Sequence, residues 1–176
     1  MKAVILCGGL GTRLGKLTSN CPKPLLKFRN KSIVEWQILS LKKAGVKEIL
    51  INLHYLSEHI KNYLGNGNKF SIKIKYIYQT ELTGTAGGVK IFQDELKNEK
   101  CFFVLYGDIL IYEDLSKLVS FHKTKNADCS IYFHENKNSN SLLCVNESNG
   151  LIRDLIERPN LIQKKKFIQK YKINKF

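Results

Sequence analysis

At 176 residues the chain suits one domain, and a domain of that size buries roughly 70% of its unfolded surface, so neither a disulfide framework nor a metal staple is required to fold it. The five cysteines, Cys7, Cys21, Cys101, Cys129 and Cys144, are odd in number and lack Cys-x-x-Cys spacing, which reads as reduced thiols in a cytoplasmic protein, and no apolar run approaches the about 18 residues of a membrane span. The net charge of +14 attracts anions, but seven of the basic residues lie in 158–176 without one acid and no aromatic-basic recognition motif is present, so no specific nucleic-acid partner is expected.

In chain order, Met1-Lys2 leads directly into the apolar run 3–6, with no signal-peptide pattern, and that run opens into Gly8-Gly9-Leu10-Gly11-Thr12-Arg13-Leu14. This reads as a buried strand followed by an anion-binding loop. Glycines leave backbone N–H groups uncovered by any Cβ, so several can point at one anion, and Arg13 adds a fork of charged donors suited to phosphate oxygens. A Walker loop is excluded because Leu17 replaces the hydroxyl after Gly15-Lys16 and Leu10 stands at the first glycine position. The dinucleotide fingerprint is excluded because Leu14 occupies its third glycine position.

Pro22 and Pro24 flank Lys23 and predict an extended segment there. Ser32 and Glu35 form a capping box ahead of a helix with Ile33, Trp36, Leu39, Ser40 and Ala44 on its period, ending at Gly45. A strand over 46–53 follows, then a helix from Ser57, a loop over 65–68, and an alternating strand with Ile72, Ile74, Tyr76 and Tyr78. A helix is expected after Thr85. The run 101–106 has the character of a fully buried strand and stops at Gly107-Asp108. A helix with Leu115, Leu118, Val119 and His122 comes next, followed by strands over 129–133, 142–145 and 151–156 with a turn at 146–150. Alternation of this kind predicts a mostly parallel α/β sheet with right-handed crossovers and an antiparallel hairpin near the C-terminus. Ligands of such sheets bind outside the carboxyl ends of the strands, where the loop at 7–14 and Asp108 fall.

Four elements therefore meet at one sheet edge: the glycine loop, Lys23, the run 79–88 and Asp108. Each has an ordinary explanation alone, since Asp108 can cap the next helix, Gly84-Thr85 can start one, and Lys23 can be solvated. Together they supply an anion cradle, two cations, a polar side chain that can face a base and a hard oxygen ligand for Mg2+.

The order Gly8 to Leu14, Lys23-Pro24, Gln79, Gly84-Thr85-Ala86, Gly107-Asp108 and Glu157-Arg158-Pro159 resembles the sugar-phosphate nucleotidyltransferases, over residues 1–160. The stretch from His134-Glu135-Asn136 to Glu157-Arg158-Pro159 resembles their mannose- and heptose-1-phosphate guanylyltransferase-like branch. The resemblance implies a Rossmann-like three-layer α/β/α fold. It also implies transfer of a nucleoside monophosphate from an NTP to a sugar 1-phosphate with release of pyrophosphate, for polysaccharide precursors. By the same resemblance the nucleotide is held at Leu6, Gly8, Gly9, Gly11, Thr12, Gln79, Gly84 and Thr85. Arg13, Lys23 and Asp108 are the catalytic residues, Asp108 the Mg2+ ligand, and Glu157 a contact to the acceptor sugar.

The Gln79 amide leans towards a uracil or thymine edge, whereas Glu81 would restore a guanine contact, so the base stays open. So does the acceptor, with phosphocholine-like phosphorylated alcohols as an alternative to a sugar. The family's pattern breaks off after Pro159, and 161–176 reads as a basic tail after a domain incomplete on its acceptor side. The alternative function is a catalytically impaired nucleotide-binding fragment or regulatory chain. An uncovered sheet edge would favour a homodimer.

Overall fold

The apolar run near the N-terminus forms strand β1 (Lys2–Leu6), in which Ala3, Val4 and Ile5 are fully buried. The structure is a computed structural model describing residues 1–9, 12–134 and 139–171, with the side chains of Thr12, Arg13 and Lys16 outside that description. Two compact units make up the chain, Met1–Ser130 and Ile131–Phe176.

In the first unit a two-residue hairpin of β2 (Lys27–Phe28) and β3 (Lys31–Ser32) leads into helix α1 (Ile33–Lys43). The expected capping box is present: Ser32 Oγ accepts from Glu35 N at 3.3 Å and Glu35 Oε2 accepts from Ser32 N at 2.8 Å. Strand β4 (Glu48–Leu53), helix α2 (Ser57–Leu64) and strand β5 (Lys73–Tyr78) follow. Then come helices α3 (Gly84–Lys90) and α4 (Gln93–Leu96), strand β6 (Phe102–Tyr106) and helix α5 (Leu115–Lys125), the last capped by Asp114.

The sheet runs in the order β5-β4-β1-β6, and every pairing is parallel. Period-2 alternation divides its side chains between two helix layers. Ala3 and Ile5 pack with Val34 and Ile38 of α1, Ile60 and Leu64 of α2, and Leu115 of α5. Val4 and Leu50 point the other way, against Phe92 and Leu96. This is the expected Rossmann-like three-layer arrangement. At about 1.5–3 kcal/mol per buried large apolar side chain, the two clusters supply the main driving force for closing helices onto both faces.

Three local expectations are corrected. The strand at 101–106 is not fully buried: it is an edge strand, paired only to β1 among the described residues, and one of its faces is incompletely covered, leaving Phe102, Val104 and Tyr106 39%, 41% and 51% exposed. Its apolar composition reads the same whether one face or two are covered. Residues 129–133 form no strand, because no ladder partner lies beside them among the described residues. Lys23 opens a 3₁₀ turn, Lys23–Leu25, in which Leu25 N donates to Pro22 O at 2.8 Å; Pro24 needs no donor there and its fixed φ suits the turn.

The second unit contains β7 (Ser141–Val145) and β8 (Ile152–Glu157) as the antiparallel hairpin, followed by α6 (Leu161–Tyr171). Residues 161–171, read from composition as a tail, are thus helical: Phe167 is buried, and Asp154 of β8 accepts from Lys170 Nζ and Tyr171 Oη, both at 2.8 Å. Glu135 and Asn136 lie outside the described residues.

Candidate active site

Parallel strands deliver their following loops to one edge, and the register here makes the delivery specific. Leu6 stands opposite both Asn52 of β4 and Tyr106 of β6, so the glycine loop and Gly107-Asp108 leave the sheet side by side. Gly107 N donates to Leu6 O at 2.9 Å, extending the ladder one residue. A Cβ on Gly107 would lie 2.6 Å from Cys7 Sγ and 3.0 Å from the Leu6 carbonyl oxygen, so only glycine lets the β6 loop close on β1 without a shift.

Gln37, buried in α1, holds this loop from behind. Its Nε2 donates to the carbonyls of Tyr106 and Ile109, each at 2.7 Å, one on either side of Asp108. Asp108 in turn receives Lys23, whose Nζ lies 2.6 Å from Oδ2, and both side chains are partly exposed to a cavity of about 430 Å³. Leu6, Gly8, Gly9, Gln79, Gly84 and Thr85 line the same cavity. Thr85 Oγ1 and Tyr106 Oη lie 3.1 Å apart.

Of the residues singled out from the sequence, the structure therefore brings together Leu6, Gly8, Gly9, Lys23, Gln79, Gly84, Thr85 and Asp108. Gly11 lies outside the described residues; Thr12 and Arg13 lie in the 3₁₀ segment Thr12–Thr18, with their side chains outside the description. Glu157 belongs to the second unit, where it is exposed with Oε1 3.5 Å from Arg158 Nε.

Part of the cavity lining is built by a residue not singled out from the sequence. Asn52, buried at the C-terminal end of β4, accepts from Cys7 N at 2.8 Å through Oδ1 and donates from Nδ2 to Gln79 Oε1 at 3.0 Å. Gln79 Nε2 donates to Thr83 Oγ1 at 2.7 Å. The Gln79 carbonyl can only accept, so the 2.7 Å contact from His54 Nδ1 fixes that nitrogen as the protonated one. Asn52 carried a signal available in the sequence: it is the one uncharged polar residue of the otherwise apolar run 49–53. Cys7 is not a nucleophile here, since burial, with Asp108 adding to it, pushes its thiol far above the range where a thiolate forms.

A glycine turn, a lysine, a carboxylate and a fixed amide lining one cavity make a site that can hold phosphates and a heterocycle together. Residues 2–171 match the Nucleotidyl transferase family. The chain is 36% identical over 164 residues to the mannose-1-phosphate guanylyltransferase catalytic subunit beta of Dictyostelium discoideum, a match covering 92% of this chain and 46% of that protein. It is likewise 36% identical over 166 residues to mannose-1-phosphate guanylyltransferase 1 of Arabidopsis thaliana, with the same two coverages of 92% and 46%. The chain thus spans about half the length of these relatives.

Among solved structures, a Bacillus anthracis protein assigned as a glucose-1-phosphate thymidylyltransferase superposes with a TM-score of 0.73 at 22% identity, covering 90% of this chain and 65% of its own. HddC from Yersinia pseudotuberculosis does so with a TM-score of 0.63 at 23% identity, covering 90% and 70%. These two carry the fold. From the match over nearly its whole length, the chain belongs to the nucleotidyl transferase family.

Proposed function

We propose that this chain carries the nucleotide-binding and transfer site of a sugar-1-phosphate nucleotidyltransferase, moving a nucleoside monophosphate from an NTP to a sugar 1-phosphate and releasing pyrophosphate. The observation that carries the reading is the Lys23–Asp108 pair at 2.6 Å in the cavity that Gly8 and Gly9 rim and Gln79 and Gly84 close. The backbone of Gly8, Gly9, Gly11 and Thr12 would cradle the triphosphate, with Arg13 neutralising the departing pyrophosphate. Lys23 would bridge the α-phosphate and the attacking phosphate. That attacker is already deprotonated, so the protein's task is positioning and charge compensation rather than forming a covalent intermediate.

Asp108 fits a divalent cation: it is a hard, partly exposed carboxylate beside the phosphate cradle, and Mg2+ is commonly held by one or two carboxylates plus phosphate oxygens and water. When bound there, Mg2+ would offset charge on the triphosphate. Lys23 would then exchange its carboxylate partner for phosphate oxygens.

Guanine is the proposed base and mannose 1-phosphate the proposed acceptor, following the relatives' names. An amide does not oppose guanine, whose N1–H beside O6 presents the same donor and acceptor order as the N3–H and O4 of uracil. Glu157 would contact the sugar. The product would be an NDP-sugar for polysaccharide synthesis, made in the cytoplasm where NTPs and sugar phosphates are available. No helix among the described residues is long and apolar enough to cross a membrane. The exposed β6 residues Phe102, Val104 and Tyr106 support self-association as a homodimer.

A second reading is nucleotide binding without turnover, and the observation beside it is that the chain spans about half the length of the relatives it matches. The test is pyrophosphate release with Mg2+, each NTP and a panel of sugar 1-phosphates, with Asp108→Asn as control. Release that requires one NTP and one acceptor, and is lost in the variant, supports transfer. Saturable NTP binding without release supports the second reading.

A further inference from the structure

We propose that Asn52 is the positioning residue that sets base selectivity, by locking the Gln79 amide in one of its two orientations; this rests on the reading that Gln79 faces the base. The lock follows from donor and acceptor chemistry alone. A backbone N–H only donates, so the Asn52 atom facing Cys7 N at 2.8 Å is the oxygen. Its NH2 therefore faces Gln79 at 3.0 Å, which makes the Gln79 atom there an oxygen and sends Nε2 to Thr83 Oγ1 at 2.7 Å. A main-chain donor at the end of β1 thus dictates, through two amides, which way Gln79 points. Turning Gln79 over would place NH2 against NH2 with both side chains buried, leaving donors unpaired at a cost of about 1–3 kcal/mol each.

Two glycines of different motifs stand beside Asn52. A Cβ on Gly8 would come 3.1 Å from Asn52 Nδ2, and a Cβ on Gly88 of α3 would come equally close at 3.1 Å. Any side chain at either glycine would crowd this amide, so the phosphate loop and α3 can both approach it only as glycine.

Locked in this way, Gln79 keeps one Oε1 lone pair and one Nε2 hydrogen for a ligand. For a ring held in one pose, guanine and adenine carry opposite hydrogen-bonding groups at position 6, as uracil and cytosine do at position 4. A fixed amide accepts one member of each pair, whereas a free one turns over and accepts both. With guanine as the proposed base, the member taken is the oxo one, guanine ahead of adenine, and Asn52, in the cavity wall beside Gln79, enforces the choice by holding that amide.

The experiment measures the affinities of wild type, Asn52→Asp and Thr83→Val for GTP, ATP and inorganic tripolyphosphate in Mg2+ buffer at pH 7.5, with folding checked by circular dichroism. In the Asn52→Asp variant the new carboxylate would accept from both Cys7 N and Gln79 Nε2, inverting Gln79. The expected results are at least a tenfold GTP preference in the wild type and a tenfold or greater fall of the GTP-to-ATP ratio in Asn52→Asp; the added charge beside the loop lowers the affinity for all three polyanions by a shared factor, which the ratio cancels. Thr83→Val alters an exposed position at the far end of the chain of amides and should lower the ratio by a smaller factor. A ratio unchanged in both variants, with or without an equal loss for GTP, ATP and tripolyphosphate, or no GTP preference in the wild type overturns the proposal. A wild type that binds tripolyphosphate but no nucleotide overturns instead the underlying placement of the base.

Discussion

Lys23 Nζ lies 2.6 Å from Asp108 Oδ2, joining two motifs that are 85 residues apart in the chain. Both side chains are partly exposed, so the pair contributes little to stability, within about 1 kcal/mol. Asp108→Asn and Lys23→Ala should therefore leave the thermal midpoint almost unmoved, while metal-dependent pyrophosphate release falls by about 10²–10³-fold. Melting curves beside turnover assays check this; a large loss of stability in either variant would mean that the pair serves the fold instead.

Gln37 should show the opposite balance. Replacing it with leucine strips the donors from the Tyr106 and Ile109 carbonyls, at a cost of about 1–3 kcal/mol, partly offset by removing Gln37 Oε1, a buried atom without a hydrogen-bond partner. A melting temperature lower by about 2–4 °C per kcal/mol is the expected outcome at this chain length.

Glu48 gives the fold an acid limit. Burial alone would push its carboxyl up, but Lys75, Lys2 and Lys73, each with Nζ 3.4 Å away, outweigh that and leave it below its ordinary 4.5. A carboxylate lowered on folding stabilises fully above its unfolded value and loses that contribution as pH falls through the folded value. Glu48→Gln should thus melt earlier than wild type at pH 7, and the gap should close as the pH is taken below 4.5. Melting temperatures across a pH series test the sign directly.

Thiol reactivity should follow burial. Cys129 is exposed and Cys7 is buried with its thiol held protonated, so a thiol reagent at pH 8 should modify Cys129 in the native protein and reach Cys7 only on unfolding. Mass spectrometry of peptides labelled with and without denaturant distinguishes the two.

Much of this chain is local in its logic, and local logic is legible in sequence. The Ser32–Glu35 box, the alternation that fills both faces of β1 and β4, and the glycines after β1 depend on neighbours within a few residues, so spacing alone places them. The alternation of strand and helix also implied that strand ends collect the chemistry, because parallel sheets deliver their loops to one edge. The tertiary structure decided what depends on partners far along the chain. Residues 101–106 became an edge strand because pairing on the far side is set by topology rather than by apolar content, and 129–133 formed no strand for want of a ladder. The turn at Lys23 brought its ammonium to Asp108. Asn52 joined Cys7 to Gln79 only when β4 set it between them at the cavity. A buried amide's role is fixed by which donors and acceptors surround it, and here those come from three separate stretches of chain, at Cys7, Asn52 and 79–83.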